Sequence, residues 1–408
     1  MRSEWPLTER VDVLVVGAGP AGLAVARETA ASGLTTLVIE RQKEIAEHVR
    51  TSGMTATSTV HRLGAPGDTY HSLETLRIVA PAAVAAFSAR AGAGFCVLDV
   101  RRFYRWLGFK AAGAGARIMC GMSFRDVLRD GDAVAGCVAE SRDRGRFEIG
   151  ARITVDAGGH RAQVSKRARL HPGFKRFGVG AEYELAAPHT DQREAVLVVG
   201  ERYAPSGYAW SFPWGGNRVR LGVGLHHADV RDDPKERLAR LFQMQAALDL
   251  GLAGATIAEY HYGLIPAESI APRFAGDGIL AVGDAAGHAS LVVGEGIRIS
   301  LLAGEMAAES IVGAMRRGVA LTSFEQRFRH EFGRELRIGA RLNRRLAAPS
   351  TDAQWNRRVE LLRTMPPELV FDLLQSRVRP WEVLRWLARR PTRLVRARAL
   401  TKAAVARR

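Results

Sequence analysis

Cysteine is scarce in this 408-residue chain, and the three present, Cys96, Cys120 and Cys137, are scattered with no Cys-x-x-Cys spacing. That excludes a disulfide framework and a thiolate zinc site, and it fits a reducing compartment. Long apolar runs are missing too: no stretch of about 18 residues escapes an Arg, Asp or Glu, so no membrane span is expected. No charged-then-apolar leader precedes the first apolar run, and a cytoplasmic protein is expected. The eleven histidines form no His-x-x-x-His or His-Glu-x-x-His pattern, so metal chemistry has no ligand set and no metal is expected. Without a Gly-x-Ser-x-Gly elbow, nucleophilic hydrolysis has no candidate either.

Acidic residues are outnumbered, 42 Asp and Glu against 59 Lys and Arg, for a formal net charge of +17. The excess is unevenly placed. Beyond Asp372 the chain carries ten Arg and one Lys against a single acid, Glu382, so an appendage supplies more than half of the surplus. It contains no recognised nucleic-acid module, and no nucleic-acid partner is expected. From Pro380 it mixes Trp381, Leu384, Trp386 and Leu387 with Arg385, Arg389 and Arg390, the composition of an interfacial helix. Docking on the inner face of a membrane is the expectation, with packing on the domain as its alternative.

What is present is an ordinary globular composition, 47% hydrophobic and 25% charged, in a chain long enough for two domains sharing a cleft. Residues 11–16 are continuously apolar, as in a strand buried on both faces of a parallel sheet. GAGPAG follows at residues 17–22, then a helical segment ended by Gly33, then a second buried strand closing on Glu40. This is a complete βαβ unit with a dinucleotide fingerprint. Gly17 allows the tight turn, Gly19 lets a pyrophosphate approach the backbone, and Gly22 permits close helix–strand packing, with Pro20 and Ala21 between them. Glu40 stands where an acid meets the ribose hydroxyls. Arg41, next to it, suits phosphate, adenine or solvent.

The fingerprint does not choose between NAD and FAD; the choice comes from GILAVGDAAG at residues 278–287. There a buried strand ends in Gly283-Asp284 and leads by a glycine-rich turn through Gly294, Gly296 and Ile297 into a helix. Asp284 is placed to accept hydrogen bonds from ribityl hydroxyls, and the helix N-terminus to face the end of the flavin ring that turns anionic on reduction. FAD is the expected cofactor. With one fingerprint in the chain, the external electron donor is left open among NADPH, NADH and ferredoxin.

Helical sequence is expected at 103–116, a hairpin at 118–138 and a further strand at 147–155. Strands at 179–185, 195–199, 208–212 and 219–225 suggest an antiparallel sheet, and Arg-rich helices begin at 323. Tyr208, Trp210 and Phe212 alternate, so a strand puts three rings on one face before Pro213 stops it. Such a wall serves a long apolar ligand or an ordinary core.

The sequence resembles the geranylgeranyl reductase family of glutathione-reductase-like FAD oxidoreductases over about residues 10–330. The residues that carry the resemblance are GAGPAG, ERQKEIAEHVRTSG (40–53), VDAGGH (155–160), YAWSFPWGG (208–216), GLIP (263–266) and GDAAGHASLVVGEGIRISLLAG (283–304). It implies a Rossmann-like α/β FAD-binding domain (1–80, 95–170 and 263–322), an antiparallel β-sheet substrate domain (81–94 and 171–262) and a helical, basic C-terminal region (323–408). It implies that Tyr208, Trp210, Phe212 and Pro213 line an isoprenoid cavity, and that Arg50, Ser52 and Gly53 approach the ring. Archaeal relatives place a Cys-Gly pair there, where this chain has Ser52-Gly53, so no thiol role carries over. Arg101 matches a flavin-contacting arginine only if Tyr104 replaces the usual Phe.

The implied activity is saturation of polyprenyl carbon–carbon double bonds by hydride from reduced flavin, with no catalytic side chain identified. Two other readings use the same motifs: an oxygen-using monooxygenase or halogenase, and a flavin- and isoprenoid-binding protein without turnover. Halogenases carry Trp-x-Trp-x-Ile-Pro where this chain reads Tyr-x-Trp-x-Phe-Pro.

Overall fold

A computed structural model describes residues 7–90, 94–143, 145–227, 232–348, 350–375, 377 and 380–388. The apolar run at its start becomes strand Leu7–Val16, flanked in parallel by Thr36–Glu40 and Gly145–Asp156. Arg117–Cys120 extends this parallel sheet on one side and Ile279–Ala281 on the other. Helix Pro20–Ala31 crosses between the first two strands, with proline at its first position, where no N–H is needed. Its far end is closed by Gly33 at φ 80°. The doubly wound sheet expected from the sequence is therefore present. The hairpin expected at 118–138 forms from Met122–Asp130 and Ala133–Ser141, whereas Arg117–Cys120 leaves it to join the parallel sheet beside Thr36–Glu40.

A second sheet runs in the order Thr256–Pro266, Phe177–Ala186, Arg218–His227, Gly207–Pro213, Glu194–Val198, Thr75–Ala80, Ala83–Ser88. It is antiparallel except where Glu194–Val198 pairs in parallel with Thr75–Ala80. Residues 75–80 and 263–266, assigned to the first unit by the sequence reading, pair in this sheet instead. Partner choice across some eighty to a hundred and twenty residues decides that, and local pattern does not encode it.

The C-terminal region is helical as expected: Thr322–Ala347, Asp352–Leu362, Pro367–Leu374 and Pro380–Ala388. It is not a detached appendage. Trp355, Val359, Val370 and Phe371 are buried with Phe87 and Phe212 of the second sheet and with Phe95. Arg298, on helix Ile297–Arg317, bridges to Glu335 at 3.0 Å and to the Gln375 carbonyl at 3.2 Å, tying these helices to the nucleotide-binding half. In Pro380–Ala388 the Trp386 indole donates to the Thr364 carbonyl, while Trp381 and Leu384 stay exposed. Arg389, Arg390 and the basic stretch after them lie outside the described residues. Among those described, no helix is long and apolar enough to cross a membrane.

One core residue gives the molecule a built-in acid sensitivity. His288 is fully buried, stacks on Phe328 at 3.8 Å and finds no hydrogen-bond partner for either ring nitrogen among the described residues. Burial first, and then the Arg329 charge, push its pKa from 6.5 down to about 3. Below its ordinary pKa the unfolded chain binds a proton that the folded one refuses, so stability falls on acidification by up to about 1.4 kcal/mol per pH unit. His288→Phe removes that proton difference. Urea midpoints at pH ~7 and ~4.5 are expected to diverge less in the variant than in the wild type; equal divergence would refute the assignment.

Candidate functional site

The three fingerprint glycines have three different reasons. At Gly17, φ is 110° and an added Cβ would stand 2.3 Å from the Ala157 oxygen; at Gly22 it would stand 2.2 Å from the Gly17 oxygen. Both positions are closed to side chains by backbone. Gly19 is different: its added Cβ meets nothing within 4 Å. It caps helix Pro20–Ala31 with no side-chain hydrogen bond, and the first turn holds no acid. The helix N-terminus is thus left with free N–H groups facing open space, an arrangement that accepts a phosphate. Glu40 accepts from the Ala18 N–H and the Gln42 N–H, both at 2.9 Å, which fixes its carboxylate against the turn. Asp156, fully buried, accepts from Gly158 and from the backbone and hydroxyl of Ser165, and so sets the neighbouring strand end.

Cations rim this end. Burial first, then Arg41 and Arg161, pull the Arg50 pKa down, with Glu40 opposing them. Burial and the same arginines, with Lys166, hold His160 near a pKa of about 4. A diphosphate would relieve that crowding of like charge.

From here a cavity of about 560 Å³ runs into the second unit. Gly19, Pro20, Ala21, Arg50, Ser52, Gly283, Asp284, Gly294, Gly296 and Ile297 line it on the nucleotide side; Tyr208 and Trp210 also line it, Trp210 opposite Leu197 on the neighbouring strand. Asp284 has its pKa raised to about 6 by burial, a carboxyl held away from water until a ligand meets it. Gly17, Gly22, Glu40, Arg41 and Gly53 do not line the cavity; Arg41 stands with Arg50 and Arg161 at its rim. Three more expected residues fall elsewhere. Arg101 is held by Glu259 at 2.6 Å and does not line the cavity. Phe212 continues the ring series, with Trp210 stacked at 6.1 Å, but sits with Pro213 in the core behind it.

The far end is apolar, and the sequence reading missed most of it. Ile78, Leu197, Trp355, Val359, Leu362 and Leu374 line it, so strands of the second sheet and the C-terminal helices supply the wall. Their apolar spacing reads as ordinary core, so only assembly distinguishes them.

Trp210 is seated on glycine. An added Cβ at Gly222 would lie 2.2 Å from the indole Cζ2, so Gly222→Ala overpacks the site. A stability loss of about 1–3 kcal/mol is expected by thermal melting, with FAD affinity unchanged. Parallel loss of FAD binding would show that the indole supports the cofactor end.

An open helix N-terminus, an acid closing the second strand and a buried aspartate before a second helix N-terminus fit FAD, and these features define an FAD-dependent oxidoreductase of the doubly wound type. The chain belongs to the geranylgeranyl reductase family within that class. The FAD binding domain family matches residues 10–302. The chain is 31% identical over 341 residues to digeranylgeranylglycerophospholipid reductase 2 of Methanopyrus kandleri, covering 82% of this chain and 86% of that one. In fold it is similar to a geranylgeranyl bacteriochlorophyll reductase-like protein of Thermoplasma acidophilum, with a TM-score of 0.82 at 21% identity over 96% of this chain and 99% of that one. It is also similar to the flavin-dependent brominase Bmp2 in triple-mutant form, with a TM-score of 0.74 at 18% identity over 96% and 99%.

Proposed function

We propose that the protein saturates carbon–carbon double bonds of a polyprenyl, geranylgeranyl-type lipid. The observation that carries this reading is the continuity of the cavity from the fingerprint and Asp284 to an apolar wall of Ile78, Leu197, Trp355 and Leu362. Bound FAD, reduced by an outside donor, would supply the hydride. The chain's own residues bind and position. The free N–H groups at the N-terminus of helix Pro20–Ala31 and the Arg41, Arg50 and Arg161 cations take the diphosphate, Glu40 the ribose, and Asp284 the ribityl hydroxyls. The apolar far end takes the prenyl tail by area and keeps water away from the reacting bond. The exposed Trp381 and Leu384 support a second part of the reading, docking at an anionic lipid surface where such a substrate resides.

Lipid mass spectrometry on cells expressing the gene tests the reading. Polyprenyl lipids are expected to gain two hydrogens for each bond saturated. Unchanged prenyl lipids alongside an oxygen-dependent product on an aromatic substrate would replace it with the monooxygenase or halogenase reading.

A further inference from the structure

Saturating a double bond takes a proton as well as a hydride, and the apolar walls keep water from delivering it. Two ionisable side chains of the cavity lining belong to one buried network in the second sheet. Glu182 and Glu184 lie on strand Phe177–Ala186, and Glu259 and His261 on the adjacent Thr256–Pro266. The sequences Glu-Tyr-Glu and Glu-Tyr-His place the ionisable residues on one face of each strand and the tyrosines on the other. Register then sets Glu182 opposite His261, and Glu184 opposite Glu259.

The contacts form a line. The Trp210 indole N–H donates to one Glu182 oxygen at 2.8 Å. The other Glu182 oxygen lies 3.4 Å from His261 Nδ1, and His261 Nε2 lies 2.9 Å from Glu259. Glu259 is 43% exposed and bonds Arg101 at 2.6 Å. The line thus begins at the cavity, which Glu182 and His261 both line, and ends in solvent.

With a carboxylate at each ring nitrogen, His261 is built to hold two N–H donors. Burial alone would lower its pKa, but the hydrogen bonds to Glu182 and Glu259 prevail and raise it. Glu259 is pulled to about 2, by the Arg101 hydrogen bond first and by His261 as well. Glu184 faces the ring across the strands. Arg220, 3.9 Å from Glu182 and 3.7 Å from Glu184, balances the remaining negative charge.

We propose that Glu182 is the proton donor to the alkene and that His261 supplies it. This rests on the reductase reading above. In the step, the Glu182 carboxylate takes the Nδ1 proton of His261, and the O–H bond so formed breaks as a C–H bond forms at one alkene carbon. The other carbon receives hydride with its electron pair, so the alkene is reduced and the flavin leaves oxidised. Glu182 is left as a carboxylate and His261 as a neutral ring. The neutral ring regains a proton from solvent, so one solvent proton is consumed per bond saturated. Glu259 and Arg101 are positioning residues that keep the ring charged, and Trp210 aims the carboxyl.

The test has two independent readouts. In the first, full-length protein with FAD is photoreduced without oxygen and mixed with geranylgeranyl diphosphate, and flavin reoxidation is followed. Reoxidation by the wild type that depends on the alkene is the check on the reductase reading itself. Against that rate, Glu182→Gln is expected to be slower by roughly 10²-fold or more, with FAD affinity within about twofold and partial recovery in Glu182→Asp. The relay needs a protonated ring, so the wild-type rate is expected to fall as pH rises past the raised pKa of His261, and His261→Gln is expected to abolish that fall. A Glu182→Gln rate equal to the wild type, or one that falls only together with FAD affinity and with no recovery in Glu182→Asp, overturns the relay.

The second readout is the NMR titration of His261 in FAD-free protein, which needs no turnover. Its midpoint is expected above the ordinary value of about 6.5 and lower in Glu259→Gln. A wild-type midpoint at or below the ordinary value overturns the relay whatever the substrate is.

Discussion

Gly19→Val is expected to give a folded protein that purifies without flavin. An added Cβ at this position meets no protein atom within 4 Å, so the backbone tolerates it. What it fills is the space in front of helix Pro20–Ala31, whose cap has no side-chain partner of its own. A diphosphate kept from that space forfeits charge-assisted hydrogen bonds of about 1.5–3 kcal/mol each. Losing two of them lowers FAD affinity by roughly 10²–10⁴-fold. Fluorescence titration with FAD measures the affinity, and circular dichroism with thermal melting measures the fold. Gly22→Val is the contrasting variant, since its Cβ would collide with the Gly17 carbonyl at 2.2 Å; it is expected to lose stability as well as flavin. A Gly19→Val protein that keeps its flavin would place the pyrophosphate elsewhere.

Arg220→Leu is expected to be the most destabilising single change in the second unit. The residue is 1% exposed and donates through Nη1 to the carbonyls of Ser52 and Leu98, both at 2.9 Å. Its other side faces Glu182 and Glu184. One guanidinium thus neutralises two buried carboxylates and ties the loop at residues 50–53 to the second sheet. Removing one partner of such a cluster costs about 3–5 kcal/mol, because the carboxylates left behind are desolvated and unpaired. In Tm this is a fall of roughly 5–10 °C. The pH dependence identifies the cause. Without the arginine, which opposes the upward push of burial on Glu184, that carboxylate takes up a proton more readily in the folded state, so the deficit should shrink as pH falls through the carboxylate range. A deficit constant with pH would assign the loss to packing against Trp214, which lies 4.4 Å from the guanidinium carbon.

The nucleotide end was legible because its determinants are local. A tight turn, a close helix–strand approach and an open helix N-terminus each require glycine at a set offset from a buried strand, so Gly17, Gly19 and Gly22 announce a binding site within six residues. Asp284 was legible for a similar reason, as a strand-end acid before a glycine-rich turn. Trp210 was found by alternation, but alternation assigns a face and not a neighbour. It gave Phe212 the same standing, although Phe212 packs into core.

The proton line from Glu182 through His261 to Glu259 could not be read along the chain. Its members are separated by some eighty residues and meet only through the register of two strands. The same holds for the apolar end of the cavity, where Trp355, Val359 and Leu374 have the spacing of any amphipathic helix. The sequence by itself determined that this protein holds FAD, because backbone geometry around a phosphate constrains consecutive residues. Tertiary structure decided the cavity beside that site, because a cavity wall and a line of charged side chains depend on which distant segments pair.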